Sequence, residues 1–424
     1  MPSFRFLHTA DIHLDSPLKG LSGHEGSLTE RIRGATREAF DQLVGRAIEE
    51  QVDFLIIAGD LYDGDWRDYK TGLFFVNQMG RLNKAGIPVF LLYGNHDAES
   101  QNTRRLVLPE NVKVFGSRKP ETFKLDELNV VIHGQSFRQR DISENLALTY
   151  PDPGAGEFNI GVLHTGLGGM GGHENYAPCD LSDLVNKGYD YWALGHVHQA
   201  QVLHERPHIV FPGNLQGRHV RETGSKGACL VSVEDGEIND LTTLHSDVVR
   251  WSVVPVELED VASVGEAFDR IRDALENAVT NFGEGRLLVC RVQLHGHTEF
   301  HEQLLATGDH VLAEARSSAL GLGEDIAWVE KVVIETEPLI DLQIRADRED
   351  AIGDLQRMLR EAGADANLIE QLDRDIGEIV RRLPHEVRAD VEDVALRAAI
   401  EGDHAGLIAD VTPYLSARLT MKEG

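Results

Sequence analysis

Phe54-Leu55-Ile56-Ile57-Ala58-Gly59-Asp60-Leu61-Tyr62-Asp63 decides how this chain is built. Its continuous apolar run, closed by Gly59, predicts a short strand covered on both faces. An acidic residue directly after such a strand stands at the C-terminal edge of a sheet, where loops converge and sites form. Working outward, residues 4–9 predict an earlier strand and residues 28–50 a helix. That helix has Ala35, Ala39, Phe40, Leu43, Val44, Ala47 and Ile48 on one face, and Ser27 and Glu30 have capping-box spacing. A second helix is expected over 69–84 and a strand over 89–93. Strand, helix, strand, helix, strand at this spacing implies parallel crossovers.

Further strands are expected at 130–133, 159–164, 191–194, 200–205, 208–211, 228–234 and 237–244. The last five follow closely on one another, which predicts antiparallel pairing. Residues 1–245 therefore read as an α/β domain of four layers, α/β/β/α, with mixed sheets. Strands at 251–257, 286–294 and 326–335 with helices at 261–281 and 301–319 predict a small α+β accessory domain over 246–340. Residues 341–424 read as a helical C-terminal region. Its apolar stripes are Ile352, Leu355, Met358 and Leu359; then Leu368, Ile369, Leu372, Ile376, Ile379 and Val380; then Leu407, Ile408, Val411, Tyr414 and Leu415, interrupted by Pro413. Such stripes pack on their own domain or dock a partner.

Composition excludes several classes. No run of about 18 apolar residues is present, so no membrane span is expected. Met1-Pro2-Ser3-Phe4-Arg5 leads straight into strand-like sequence without an apolar signal stretch, which makes the cytoplasm the expected location. Cys179, Cys229 and Cys290 form no CxxC pair, so neither a disulfide framework nor a thiolate metal site is expected. A formal charge of −29 makes the chain a poor lone binder of polyanions. Two divalent cations would add positive charge at one site without repairing the global field.

Five clusters carry the chemistry: Asp11-Ile12-His13; Gly59-Asp60-Leu61-Tyr62-Asp63; Gly94-Asn95-His96-Asp97; His164; and Gly195-His196-Val197-His198. Each sits at the C-terminal end of a predicted strand, so carboxylates, an amide and imidazoles are delivered to one rim. Asp11 and His13 are two apart, as are His196 and His198, and in extended chain such pairs point the same way. Carboxylate, amide oxygen and imidazole without thiolate suit six-coordinate Mn2+ or Fe2+ better than structural zinc. The donors are too many for one ion that must also hold water and substrate. They suit two ions with Asp60 as the bridge, about 3.5–4 Å apart, which lower the pKa of a shared water and clamp an in-line phosphoryl displacement.

The ordered set Asp11-x-His13, Gly59-Asp60-x-x-Asp63, Gly94-Asn95-His96-Asp97, His164 and Gly195-His196-x-His198 resembles the motifs of the calcineurin-like metallophosphoesterases across residues 1–245. The resemblance implies one metal on Asp11, His13, Asp60 and His198, and another on Asp60, Asn95, His164 and His196. Mn2+ is the first expectation, with Fe2+, Mg2+ and Zn2+ as alternatives. His96 is implied to face the scissile phosphate and assist the leaving oxygen. Asp63 has the spacing to hydrogen-bond one nitrogen of His96 and fix its tautomer, or merely to cap a turn.

Within the family, residues 7–15 and Phe211-Pro212-Gly213-Asn214-Leu215-Gln216 resemble the SbcD-type DNA-repair exonuclease branch. Residues 164–166, 175–179 and 216–222 are similar to its YhaO-like group. That resemblance implies a DNA nuclease acting in repair or end processing with a large SMC-like ATPase, YhaN-like or Rad50-like, which would hold the duplex for an acidic nuclease. It also implies dimerisation through the phosphoesterase domain. Arg218, His219, Arg221 and His173 are the candidate substrate contacts, against a solvated salt-bridge role for the arginines. Residues 167–172 are glycine-rich, but no GK[ST] follows, so a P-loop is rejected for a rim loop. His8, His133, His204 and His208 read as structural. Two other functions stay open: a phosphodiesterase or phosphatase on small nucleotides or phosphoproteins, and a metal-free interaction scaffold, against which the intact ligand set argues.

Overall fold

The computed structural model describes residues 2–16, 18, 27–64, 69–99, 106–168, 176–323 and 325–339. Beyond these it describes 354, 357–358, 361–362, 365–383 and 394–420. Two compact units result: Met1–Ser252 with Asn281–Val289, and Val253–Thr280 with Cys290–Gly424.

The first unit is built on two six-stranded mixed sheets. One contains β1 (Phe4–Thr9), β2 (Phe54–Ala58), β3 (Val89–Leu92), β4 (Val112–Val114), β11 (Gly227–Glu234) and β12 (Glu237–His245), in the order β12-β11-β1-β2-β3-β4. The run β1-β2-β3-β4 is parallel, as the crossover helices α1 (Ser27–Glu49) and α2 (Tyr69–Lys84) require, and the short α3 (Asn95–Glu99) follows β3. The other sheet contains β5 (Glu121–Leu125), β6 (Val130–Gly134), β7 (Phe158–His164), β8 (Tyr191–Gly195), β9 (Gln201–Glu205) and β10 (His208–Phe211), in the order β5-β6-β7-β8-β10-β9.

Strand alternation sorts the core. In β2, Phe54, Ile56 and Ala58 turn toward the second sheet and meet residues such as Ile160, Val162, Tyr191 and Ala193. Leu55 and Ile57 turn the other way, onto Phe40, Leu43, Val44, Phe75 and Met79 of α1 and α2. The far face of the second sheet presents Leu163, Trp192, Leu194 and Phe211 to Phe137, Tyr150 and Leu184. Leu184 belongs to α4 (Leu181–Asn186), so the outer layer on this side is short helix and loop. Helix, sheet, sheet, helix is the order of layers, and both parallel runs are buried on two faces, as their unbroken apolar sequence required.

The antiparallel pairing expected between 191 and 244 holds for β9 with β10 and for β11 with β12, and is corrected at β8 and in the division between two sheets. β10 lies parallel to β8, and β9 is an edge strand antiparallel to β10. β11 then crosses to the first sheet, antiparallel to β1 and β12. Closeness in sequence did not distinguish pairing within one sheet from exchange between two. β4 and β5 were missed because one has three residues and the other alternates half-exposed with exposed positions at a sheet edge. Ser27 does begin α1, but the side chains of the expected capping box lie outside the described residues.

The second unit contains most of a three-stranded sheet, β13 (Val249–Glu257), β14 (Leu287–His295) and β16 (Ala327–Ile334), and a small pair, β15 (His297–Thr298) with β17 (Glu337–Pro338). α5 (Val264–Ala278) and α7 (Gly308–Gly321) pack together, and α7 lies on β16. The single helix expected at 301–319 is divided into α6 (His301–Ala306) and α7, with Thr307 closing the first turn onto Gln303. The final helix, His404–Thr420, runs through Pro413 and packs on α6. In the helix Ala366–Arg382 the stripe residues Leu368, Ile369, Leu372, Ile376 and Val380 are half-buried, while Ile379 is exposed. Ile352, Leu355 and Leu359 lie outside the described residues. No helix among the described residues is long and apolar enough to cross a membrane.

The two sheets of the first unit approach closely at Gly195, where a Cβ would stand 2.0 Å from the Ala58 carbonyl oxygen. Gly195→Ala is expected to lower unfolding stability by about 3 kcal/mol, the upper range for overpacking, because backbone cannot yield as a side chain does. Gly34, inside α1 with nothing near its Cβ position, should instead gain about 0.5–1 kcal/mol as Gly34→Ala. Denaturant unfolding of both variants measures the contrast.

Candidate metal centre

β1, β2, β3, β7 and β8 all end at one rim, and the loops that leave them stay bonded past the last strand residue. The amides of Asp11, His13 and Leu14 donate to the carbonyls of Gly59, Asp60 and Leu61 at 3.0, 3.0 and 2.9 Å. Asp11, His13 and Asp60 have φ of 50°, 46° and 50°, and His196 has 102°. These are left-handed conformations that non-glycine residues rarely adopt, each costing on the order of 1–3 kcal/mol. Extended chain therefore does not explain why Asp11 and His13 converge; strained turns clamped by the neighbouring loop do.

Asp60 lies at the middle of the cluster. Its Oδ2 is 3.4 Å from His164 Nε2, 4.0 Å from His13 Nε2 and 4.0 Å from His96 Nε2. His164 donates its Nδ1–H to the Ala58 carbonyl at 2.9 Å, which aims Nε2 at Asn95 Oδ1, 2.9 Å away, and at Asp60. Two acceptors and a ring nitrogen meeting there require a proton or a cation between them. On the other side, His13 Nε2 and His198 Nε2 are 3.3 Å apart, and Asp11 Oδ1 is 3.9 Å from His198 Nε2. Asp11, His13 and His198 form one group with metal-ligand spacing; Asp60, His164 and His196 form a second; His13, Asp60 and His96 lie between. All of the sequence-proposed ligands thus lie at one rim, and their donor set of carboxylate, amide oxygen and imidazole fits divalent cations.

Residues 4–200 match the family model described as calcineurin-like phosphoesterase, and residues 251–337 match the middle domain of metallophosphoesterase YhaO. This chain carries a calcineurin-like metallophosphoesterase domain. It is 39% identical over 272 residues to the uncharacterized metallophosphoesterase YhaO of Bacillus subtilis (strain 168), covering 63% of this chain and 66% of that protein, a little short of two thirds of its length. It is also 27% identical over 289 residues to the DNA double-strand break repair protein Mre11 of Sulfurisphaera tokodaii, covering 63% of this chain and 70% of that one. The Mre11 protein of Methanopyrus kandleri is 27% identical over 302 residues, 62% of this chain and 60% of that one.

Burial sets the electrostatics of the phosphoesterase site. It pushes the Asp11 carboxyl up to about 7, and it holds the His13 ring well below its ordinary value, with the Arg218 guanidinium adding to the effect. Burial also opposes the charged forms of Asp60 and His164, but their mutual attraction outweighs it. Asp60 is held well below the carboxylate range, and His164 is raised to about 9.

Around this cluster, Asp63 Oδ1 is 3.2 Å from His96 Nδ1 and 3.6 Å from His13 Nδ1, and Asp63 Oδ2 accepts from Ser16 Oγ at 2.8 Å. Arg218 turns inward, with Nη1 3.8 Å from Asp63 and Nη2 3.6 Å from Glu222. His219 Nε2 is 3.5 Å from Glu222, whereas Arg221 is exposed. His173 lies outside the described residues. His8 bonds Tyr191 Oη and the Leu194 carbonyl, away from the ligands.

Sequence reasoning gave no role to Asp97 or Glu222. Buried Asp97 accepts the amides of Leu61, Tyr62 and Gly94 at 3.1, 2.9 and 3.0 Å, tying the loop after β2 to the loop after β3. Its place in Gly94-Asn95-His96-Asp97 was the only available signal. Asp97→Ala leaves three amides without this acceptor and is expected to cost about 3 kcal/mol or more in denaturant unfolding, with Asp97→Asn intermediate.

The proton on His164 must leave before its Nε2 can bind a cation. Below about 9 His164 holds that proton, and below about 7 Asp11 is protonated as well. Both protons compete with metal, so affinity rises as pH increases through 7 and levels off above 9, with proton release on binding. Calorimetric Mn2+ titration in buffers of different ionisation enthalpy checks this. An affinity unchanged over that range would contradict it.

Proposed function

We propose that this chain is a two-metal phosphodiester hydrolase that cuts DNA during repair or end processing, in the cytoplasm, beside a large SMC-like ATPase that holds the duplex. The observation that carries the reading is the convergence of carboxylates, amide and imidazoles from five segments around Asp60. The domain's kinship with proteins named for DNA double-strand break repair supports DNA as the substrate. In this reading one cation takes Asp11, His13, Asp60 and His198, the other takes Asp60, Asn95, His164 and His196, and Mn2+ suits the donor set. Dimerisation through the phosphoesterase domain belongs to the same reading.

Two divalent cations, when bound, supply an activated water and neutralise charge on the phosphate. The side chains do the rest. Asn95 donates its amide hydrogens to a phosphate oxygen. His96 is 31% exposed and lies beside Asp63 at 3.2 Å. The Asp63 carboxylate holds the Nδ1–H tautomer, which leaves Nε2 to carry the proton that the departing sugar oxygen needs. Arg221, His219 and Arg218 stand on the same loop; the exposed Arg221 is best placed for backbone phosphates, since Arg218 faces Asp63 and Glu222.

A charge of −29 favours a second reading, a phosphodiesterase for small nucleotides, because a short diester does not need a basic track. Comparing linear duplex DNA with bis(p-nitrophenyl) phosphate, with and without the ATPase, separates the two. In either reading His96→Ala keeps two metals per chain and slows hydrolysis by about 10²–10⁴-fold. Full activity of that variant on DNA would remove His96 from the mechanism.

A further inference from the structure

The loop after β10 contains a carboxylate, the last residue of the stretch 216–222, that none of the five chemistry-bearing clusters included. Glu222 is buried, with its side chain 7% exposed, and both its oxygens are engaged. Oε2 accepts from Asn214 Nδ2 at 2.8 Å and from the Arg218 amide at 2.7 Å. Oε1 is 2.7 Å from His198 Nδ1 and 3.6 Å from Arg218 Nη2.

The distances at His198 select its tautomer. The Glu222 carboxylate, an acceptor only, approaches Nδ1 at 2.7 Å, and Arg218 Nη2, a donor only, lies farther off at 3.4 Å. A lone pair on Nδ1 would face the carboxylate at the shorter distance and repel it. The short contact is therefore an Nδ1–H donated to Glu222, strengthened by the negative charge of its acceptor. The Nε2 lone pair is left pointing at the space shared with His13 Nε2 and Asp11 Oδ1. The same residue fixes Arg218 through its backbone amide, and Arg218 reaches Asp63 at 3.8 Å, next to His96.

Resting on the two-metal reading above, we propose that Glu222 is the positioning residue for the cation held by Asp11, His13 and His198, and that it acts by locking His198 in the Nδ1–H tautomer. It touches neither substrate nor cation. The second group, Asp60, His164 and His196, has its own orienting partner in the Ala58 carbonyl, which bonds His164. Loss of Glu222 should therefore weaken one site and spare the other.

Stepwise Mn2+ binding to the full chain tests this, read by calorimetry and by electron paramagnetic resonance of the loaded protein, with metal-free unfolding as the control for folding. The wild-type chain is expected to take two ions. Glu222→Ala should keep one at wild-type affinity and bind the other about 10–100-fold more weakly, replacing the coupled two-ion signal by that of an isolated Mn2+. Glu222→Gln, which keeps the volume and one acceptor oxygen, should fall less far, and it serves if the alanine variant does not fold. Two ions bound at wild-type affinity by a folded variant would overturn the proposal. So would an equal weakening of both sites, the mark of a merely structural role. A wild-type chain that takes no Mn2+ would instead defeat the two-metal reading itself.

Discussion

The structure depends on keeping one carboxylate, that of Asp60, away from water between several imidazoles. Taking an isolated carboxylate out of water costs several kcal/mol even after relaxation. Asp60 tolerates burial because His164 is 3.4 Å away and the His96 amide donates to it at 3.0 Å. Those partners come from both sheets, so the two sheets must approach closely at this end. Gly195 permits that approach, and its position beside Ala58 is a steric condition for the electrostatics. The fold and the site therefore satisfy one constraint, and a change in either should be felt in the other.

Much of this was legible in the chain. The parallel run β1-β2-β3 followed from unbroken apolar stretches and the amphipathic helices between them, because burial on two faces leaves that signature. The convergence of Asp11, His13, Asp60, Asn95, His164, His196 and His198 was legible because each stands at or just past the C-terminal end of a strand, and parallel strands bring such positions to one rim. What escaped has a common physical cause. β9, β10 and β11 pair according to which edge is open, a property of the assembled sheets that no local pattern records. Asp97 and Glu222 act on backbone amides and on rings distant in sequence, so their residue type alone says nothing of their work. The left-handed turns at Asp11 and His13 are held by carbonyls of a different loop, and no glycine marks them.

Net charge and local chemistry point in different directions, and the distance over which each acts reconciles them. At physiological ionic strength exposed charges are screened beyond roughly 8 Å. The acidic surface governs encounter with a polyanion, while cations bound within the residue cluster around Asp60 would govern what happens to a phosphate once it is there. In the proposed reading, a partner that holds DNA would remove the first difficulty without altering the second. That division of labour would let an acidic chain keep a competent hydrolytic centre, and the small α+β unit and terminal helices give it surface beyond the catalytic domain.

The layers around the ligands also differ in how firmly they hold. His164 is oriented by a main-chain carbonyl inside a strand, Asn95 begins a helix directly after β3, and Asp97 ties the two intervening loops together. His198 is oriented instead by a side chain on a loop, and that loop also carries Arg218 and His219. Main-chain carbonyls in a buried sheet move only if the sheet moves; a glutamate on a loop moves with whatever its loop touches. One half of the centre is thus oriented by main chain in the core, and the other by a buried side chain on the loop after β10.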